Sequence, residues 1–232
     1  MTTPAGAFAS NHATIDWFAD RIAEACAGAD IRRVLDIGCG DASLVVALAD
    51  RLPHASIVVL DYSHENMLVA LARVSQSPHA PRMQVYEGDY LARRPGVFDL
   101  VVAQSSLQGM PVPVRTLAET LAADLGPRGR IVFTMPSRCL YNRVLNGVRR
   151  VWRACRSSLT DRLILGVAAR LHPEHSAAFL RDRVEYMYFV VRHHEAALRS
   201  ALEAVGLRTV VVEPMLHTSW GQPRHHLTVM TR

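Results

Sequence analysis

Between Arg33 and Met135, short runs of β-branched and aliphatic residues alternate with segments whose apolar residues recur every three or four positions. A chain with this rhythm makes strands joined by crossover helices, and such strands pair in parallel. Arg33–Ile37 (RVLDI), Ser56–Asp61 (SIVVLD), Met83–Tyr86, Phe98–Ala103 (FDLVVA) and Gly129–Met135 (GRIVFTM) read as five strands. Helices are expected over 11–28, with Ile15, Phe18, Ile22 and Cys26 on one face, and over 42–52, 64–75 and 114–124. After the fifth strand the alternation stops, and 137–189 predicts two or three helices without a strand. It resumes with a helix over 193–205, closed by Gly206 as a C-terminal cap, and with strands over 208–213 and 227–231. The expectation is a seven-stranded, mostly parallel α/β sheet with helices on both faces. One domain would comprise 1–136 and 190–232, and 137–189 would be a helical insertion.

The turn after the first strand narrows the ligand. Val34-Leu35-Asp36-Ile37-Gly38-Cys39-Gly40-Asp41-Ala42 runs from strand through a glycine turn into a helix. Two glycines one residue apart let the backbone reverse sharply and bring a ligand against the main chain. A dinucleotide would set its pyrophosphate on the helix N-terminus and use a third glycine, but Ser43 stands there. Asp36 and Asp41 would face that pyrophosphate with like charge, at a cost on the order of a kcal/mol or more. A phosphate-free cation suits the turn better. Asp61, about twenty residues after the turn and ending the second strand, can accept both hydroxyls of a ribose. Tyr62 could lay its ring on a base, and in Gly88-Asp89-Tyr90, after the third strand, a carboxylate could accept an adenine amino group.

With these residues the chain resembles the class I S-adenosylmethionine-dependent methyltransferases, in their small-molecule branch, whose fold is Rossmann-like. Their Asp-x-Gly-x-Gly motif matches Asp36, Gly38 and Gly40, their ribose acid Asp61, and their adenine-contacting acid Asp89. Phe98–Val102 followed by Ala103-Gln104-Ser105 looks like their fourth strand and the segment beneath the methionine moiety. Leu125-Gly126-Pro127-Arg128-Gly129 looks like their turn into strand five. The resemblance implies S-adenosyl-L-methionine as methyl donor, with S-adenosyl-L-homocysteine as product. It implies binding by Asp36, Gly38, Cys39, Gly40, Asp61, Tyr62, Gly88, Asp89, Tyr90 and Gln104. Two departures stand out: Ala42 where glycine is frequent, and Pro127-Arg128-Gly129 in place of Pro-Gly-Gly.

The insertion occupies the place where this family often builds a lid over its acceptor. All 26 basic residues of the chain are arginine, and the formal net charge is +5. From Arg138 to Arg170, eight arginines meet the single acid Asp161, a net +7 that leaves −2 for the remainder. In the first helix of the insertion Leu140, Val144, Val148, Trp152 and Cys155 form an apolar stripe. The expectation is a cover helix with that stripe inward and its arginines solvated. An electropositive face for an acidic acceptor or an acyl-carrier protein, or a membrane-surface helix, are the competing readings. The basic run lacks a nucleic-acid reading motif, which argues against that partner. Carboxyl methyltransferases of acidic metabolites or malonyl-carrier thioesters are compatible with it.

For the reacting end, Glu185, Tyr186, Tyr188 and His217 are candidates to orient or deprotonate an acceptor. His172-Pro173-Glu174-His175 has metal-like spacing, but Pro173 suits a helix start and a third ligand is missing, so no metal is expected. Cys26, Cys39, Cys139 and Cys155 show no paired spacing, and Met1–Asn11 has no basic flank or apolar run. With no apolar stretch long enough to span a bilayer, a cytoplasmic enzyme of biosynthesis is expected. A non-catalytic nucleotide-sensing module on the same fold is the rival from another class. A nicotinamide oxidoreductase is disfavoured by the acids at the turn.

Overall fold

The computed structural model describes residues 12–92, 96–171, 177–182, 184, 188–215 and 222–232. In chain order these form α1 (His12–Ala25), β1 (Arg33–Ile37), α2 (Ser43–Arg51), β2 (Ser56–Asp61), α3 (His64–Gln76), β3 (Met83–Glu87), β4 (Phe98–Gln104), α4 (Val114–Ala123) and β5 (Leu125–Pro136). There follow α5 (Leu140–Ala154), α6 (Ser158–Leu171), α7 (Ala177–Asp182), α8 (Glu195–Ala204), β6 (Arg208–Pro214) and β7 (His225–Thr231). Short 3-10 turns at Ala80–Arg82 and Leu107–Gly109 lead into β3 and follow β4. The sheet has seven strands in the order β3-β2-β1-β4-β5-β7-β6, parallel except for β7, which runs against both neighbours. This is the expected Rossmann-like α/β sheet. Its order reverses between β1 and β4, and ligands of open parallel sheets bind at such a switch point, beyond the carboxyl ends of the strands.

Alternation along each strand divides the core. Val34, Ile57, Val59, Leu100 and Val102 point to one face, where α1, α2 and α3 cover them with Phe18, Ile22, Leu48 and Met67. Leu35, Ile37, Val101, Ala103, Ile131 and Phe133 point to the other, under α4 and α8 with Leu117, Leu121, Leu198 and Leu202. The central strands are buried on both faces, which is why they read as unbroken apolar runs.

Two boundaries differ from expectation for identifiable reasons. Strand β5 begins at Leu125 rather than Gly129, because the chain keeps hydrogen-bonding across a register shift opposite Phe98 and Leu100. A Cβ at Gly129 would lie 3.0 Å from Gly126 N and O, so a larger residue there would push the turn open by a few tenths of an ångström. Helix α8 begins at Glu195, with His194 in extended backbone at its N-cap; the preceding His193 bonds Met110 O through Nε2, 3.1 Å away.

Candidate active site

The glycine turn is held from below by the strands beside it. Gly38 N and Cys39 N both donate to Leu60 O, at 2.7 and 3.3 Å, tying the end of β1 to β2. Gly38 has φ +72°, and a Cβ built on it would stand 2.4 Å from Cβ of Ser106, so this position is glycine for conformation and for space. Ser106 lies after β4, where its hydroxyl donates to Ile37 O at 2.5 Å, and Ser105 before it takes a positive φ of 54°. Ala42 caps α2 in the left-handed region, φ 59°, and is fully buried. That conformation explains why glycine suits the position, and it costs alanine roughly 1–2 kcal/mol.

Asp61 is the clamp of the cleft. Its Oδ2 accepts Gly40 N at 2.9 Å and Asn66 Nδ2 at 3.4 Å, and its Oδ1 accepts Ser63 N at 2.9 Å. It is 6% exposed. A carboxylate offers about four lone-pair sites, so capacity for a diol remains after these three bonds. Asp36, one residue before the end of β1, is the opposite case. It is 1% exposed, and neither carboxylate oxygen has a hydrogen-bond partner. Burial first, and then the nearby charge of Asp61, push its pKa up to about 7. A sealed acid without a donor is unfavourable unless a positive group compensates it. Cys39 lies within the same field; burial above all, with Asp36 and Asp61 beside it, pushes its thiol far up, so it packs and does not react.

Asp41 departs from the expectation that it faces the ligand. Arg73 on α3 donates to its Oδ2 at 2.8 Å, and its Oδ1 accepts Ser43 N at 3.1 Å at the start of α2. Its charge is neutralised within the protein. The acidity of the cleft rests on Asp36 and Asp61.

The remaining expected residues separate. Tyr62, next to the clamp, is 82% exposed at the rim, its ring available to stack on a base. Gly88 N donates to Asp61 O at 2.9 Å, which brings the β3 turn beside the clamp. Asp89 is exposed there, and its Oδ1 accepts Leu91 N at 2.9 Å. Tyr90 turns away: it is buried in the core with α4, and its hydroxyl donates to Asp124 at 2.8 Å. The expectation that it meets the ligand is corrected accordingly, since its polar end is already committed. Gln104 ends β4 opposite Thr134 and is half-buried near the turn. Gln108, not anticipated, is buried four residues on; its Nε2 donates to Ser105 O at 2.6 Å, and its Oε1 is buried without a partner. Its signal in the sequence was only its nearness to the end of β4.

Of the candidates for the reacting end, Glu185, Tyr186 and His217 lie outside the described residues, as does His172–His175. Tyr188 is buried; its hydroxyl donates to Asp161 and Arg156 stands over its ring at 4.5 Å. That side chain braces the helices after β5 rather than presenting a free hydroxyl. No cluster of metal-ligating side chains occurs among the described residues. At the far end of the same sheet edge, Ser137, Cys139, Pro214, Met215, Arg224, His225 and His226 line a cleft of about 360 Å³. His225 Nδ1 must donate to Pro223 O, 2.9 Å away, which leaves Nε2 bare. Burial, with Arg149 and His226 nearby, lowers its pKa to about 4, so the imidazole stays neutral.

Known proteins share this architecture. Residues 35–131 match the model of a methyltransferase domain. The chain is 26% identical over 191 residues to trans-aconitate 2-methyltransferase of Streptomyces avermitilis, covering 79% of this chain and 71% of that one. It is 35% identical over 96 residues to malonyl-[acyl-carrier protein] O-methyltransferase of Geobacter sulfurreducens, covering 40% of this chain but only 34% of that protein. Magnesium protoporphyrin IX methyltransferase from Synechocystis PCC 6803, crystallised with bound S-adenosylhomocysteine, superposes with a TM-score of 0.61 at 15% identity, over 97% of this chain and 89% of that one. The N-methyltransferase NodS from Bradyrhizobium japonicum, also with S-adenosylhomocysteine, gives 0.61 at 14% identity, over 94% and 86%. The structural likenesses speak for the fold, and within it residues 35–131, which contain the glycine turn between Asp36 and Asp61, are similar to a methyltransferase domain.

Proposed function

We propose that the chain transfers the methyl group of S-adenosylmethionine to a small acidic acceptor, free or attached to a carrier. The observation that carries the donor half is Asp36, a buried carboxylate without a partner beneath the glycine turn. The donor's ammonium and sulfonium supply the positive charge that this acid lacks, whereas a pyrophosphate would add to the repulsion between Asp36 and Asp61. Asp61 would take the ribose, Tyr62 the adenine face and Asp89 its amino group.

The sulfonium supplies a methyl group already attached to a good leaving group. The protein's part is therefore alignment and exclusion of water. Helices α5 to α7 and the chain that returns beneath them would do this as a cap. Phe189, in that return, packs so closely on Gly109 that a Cβ there would meet its ring at 3.0 Å. This fixes the return chain against the turn after β4. The 360 Å³ cleft, with Arg224 at its wall, is the proposed acceptor pocket. Parallel neighbours lie about 4.8 Å apart, so the ends of β1 and β5, two positions removed, are separated by about 10 Å. A carboxylate attacks without losing a proton, so neutral His225 would orient it rather than act as a base. The acidic acceptors named for the relatives, trans-aconitate and malonyl-carrier protein, agree with an arginine-walled pocket.

Turnover tests this reading. The protein is incubated with S-adenosylmethionine and a panel of di- and tricarboxylic acids, their amides, and a malonyl thioester. S-Adenosylhomocysteine should form with acids and not with amides. Binding of S-adenosylhomocysteine without turnover on any acceptor would favour the nucleotide-sensing alternative.

A further inference from the structure

Helix α5 is amphipathic in the reverse of the expected sense. Its buried side chains are polar: Asn142, Asn146 and Arg149. Asn142 Nδ2 donates to Ser137 O and Arg224 O, both at 2.7 Å, and its Oδ1 accepts Arg224 N at 2.8 Å. Asn146 Oδ1 accepts Val191 N at 3.0 Å, and Arg149 donates to Phe189 O at 3.3 Å. The helix is docked by reading main chain, not by apolar packing. On the opposite arc, Leu140, Val144, Val148 and Val151 are 73, 59, 39 and 61% exposed. At 100° per residue these four fall within about 80° of arc. Helix α6 repeats the arrangement: Ile164 is buried, while Leu159, Leu163 and Val167 are 53–65% exposed. Two successive helices thus turn aliphatic faces outward, more than the scattered exposure ordinary on a soluble surface.

The same helices carry the positive charge of the chain. Arg143, Arg150 and Arg153 on α5, Arg156 after it, and Arg162 and Arg170 on α6 are exposed. The single acid on these helices, Asp161, accepts the Tyr188 hydroxyl and lies 3.8 Å from Arg156, and among the described residues Arg143, Arg150, Arg153, Arg162 and Arg170 form no ion pair. Arg143 and Arg150 flank the aliphatic arc along one side, where guanidinium groups can reach past it.

We infer that the outer face of α5 and α6 docks on an acidic lipid surface, the aliphatic side chains entering the headgroup boundary and the arginines pairing with lipid phosphates. Charge complementarity requires an anionic occupant. A two-fold contact between copies would set the same six arginines against one another, which opposes self-association. Protein interfaces draw their strength from Trp, Tyr and Arg anchors in fitted pockets; the exposed apolar side chains of this arc are mainly Leu and Val, with Trp152 half-buried at its edge and Cys155 at its end, and short aliphatic groups suit a fluid apolar layer. Among the described residues no helix is long and apolar enough to cross a membrane, so the contact is peripheral.

Co-sedimentation with vesicles tests the inference, using the full chain with phosphatidylcholine alone or mixed with phosphatidylglycerol. The protein should pellet with the mixed vesicles and much less with phosphatidylcholine, and high salt should release it. Arg143→Gln with Arg150→Gln should weaken binding about thirty-fold. Val144→Gln, Val148→Gln and Val151→Gln together should abolish it while leaving helical circular dichroism and thermal unfolding unchanged. Failure of the unaltered chain to pellet with acidic vesicles would overturn the proposal. So would vesicle binding that the valine substitutions leave intact, or sedimentation velocity showing a dimer that those substitutions dissolve.

Discussion

Replacing Asp36 with Asn should raise stability relative to the unaltered protein progressively as the pH rises. The carboxyl is 1% exposed, has no hydrogen-bond partner, and titrates at about 7 in the fold against 3.8 when unfolded. Between those values the folded protein holds a proton that the unfolded chain has released. Stability contributed by this group therefore falls as pH rises from about 4 to 7 and then levels off. A shift of roughly three pH units corresponds to about 4 kcal/mol at pH 8, against about 2 kcal/mol at pH 5. Asn is near-isosteric with the protonated acid and does not titrate, though its buried amide costs about 1–3 kcal/mol if unpaired. That cost is the same at both pH values. The gap between Asp36→Asn and the unaltered protein should therefore widen by about 2–3 kcal/mol from pH 5 to pH 8. Urea unfolding at the two pH values measures it directly. A gap that does not change with pH would refute the assignment of Asp36 as a sealed, uncompensated acid.

Other consequences follow from named contacts. His225, with a pKa lowered to about 4 against 6.5 unfolded, has the opposite sign: the unfolded chain binds the extra proton between those values, so stability rises with pH across that window. His225→Gln should remove that rise, up to about 3 kcal/mol, in acid-range unfolding curves. Gly38→Ala should cost about 2–5 kcal/mol in denaturant unfolding, from the left-handed backbone and the clash with Ser106; a loss below 1 kcal/mol would show that the turn is not constrained. Asp41→Asn keeps an acceptor for Ser43 N but loses a partly exposed ion pair with Arg73. It should change stability by less than about 1 kcal/mol and leave titrations with S-adenosylhomocysteine nearly unaltered. A large loss of affinity would return Asp41 to the ligand.

The framework of this fold is written locally. Arg33–Ile37 and Ser56–Asp61 stand in the structure with the bounds their apolar runs suggest, because buried parallel strands are continuous apolar stretches closed by polar residues. Asp61 is legible as the acid ending the second strand, but its bond from Gly40 N, 21 residues earlier, is not. What escaped depends on partners distant in sequence. The role of Asp41 is set by Arg73, 32 residues later, and that of Tyr90 by Asp124, 34 residues later. The stripe on α5 was visible, but a pattern shows only that two faces differ. Which one meets the protein was decided by Asn142 and Asn146, whose bonds to Arg224 and Val191 join segments 45 to 82 residues apart.

The central claim is that the crevice over Asp36 and Asp61 prefers a positively charged adenosyl group without phosphate. Calorimetric titration of the protein at pH 7.5 with S-adenosylmethionine, S-adenosylhomocysteine and NADH, alongside Asp61→Ala, bears on it most directly. Both adenosyl ligands should bind, NADH should give no heat of binding, and Asp61→Ala should weaken the adenosyl ligands by about 1–3 kcal/mol. Binding of NADH with none of the adenosyl ligands would contradict the account.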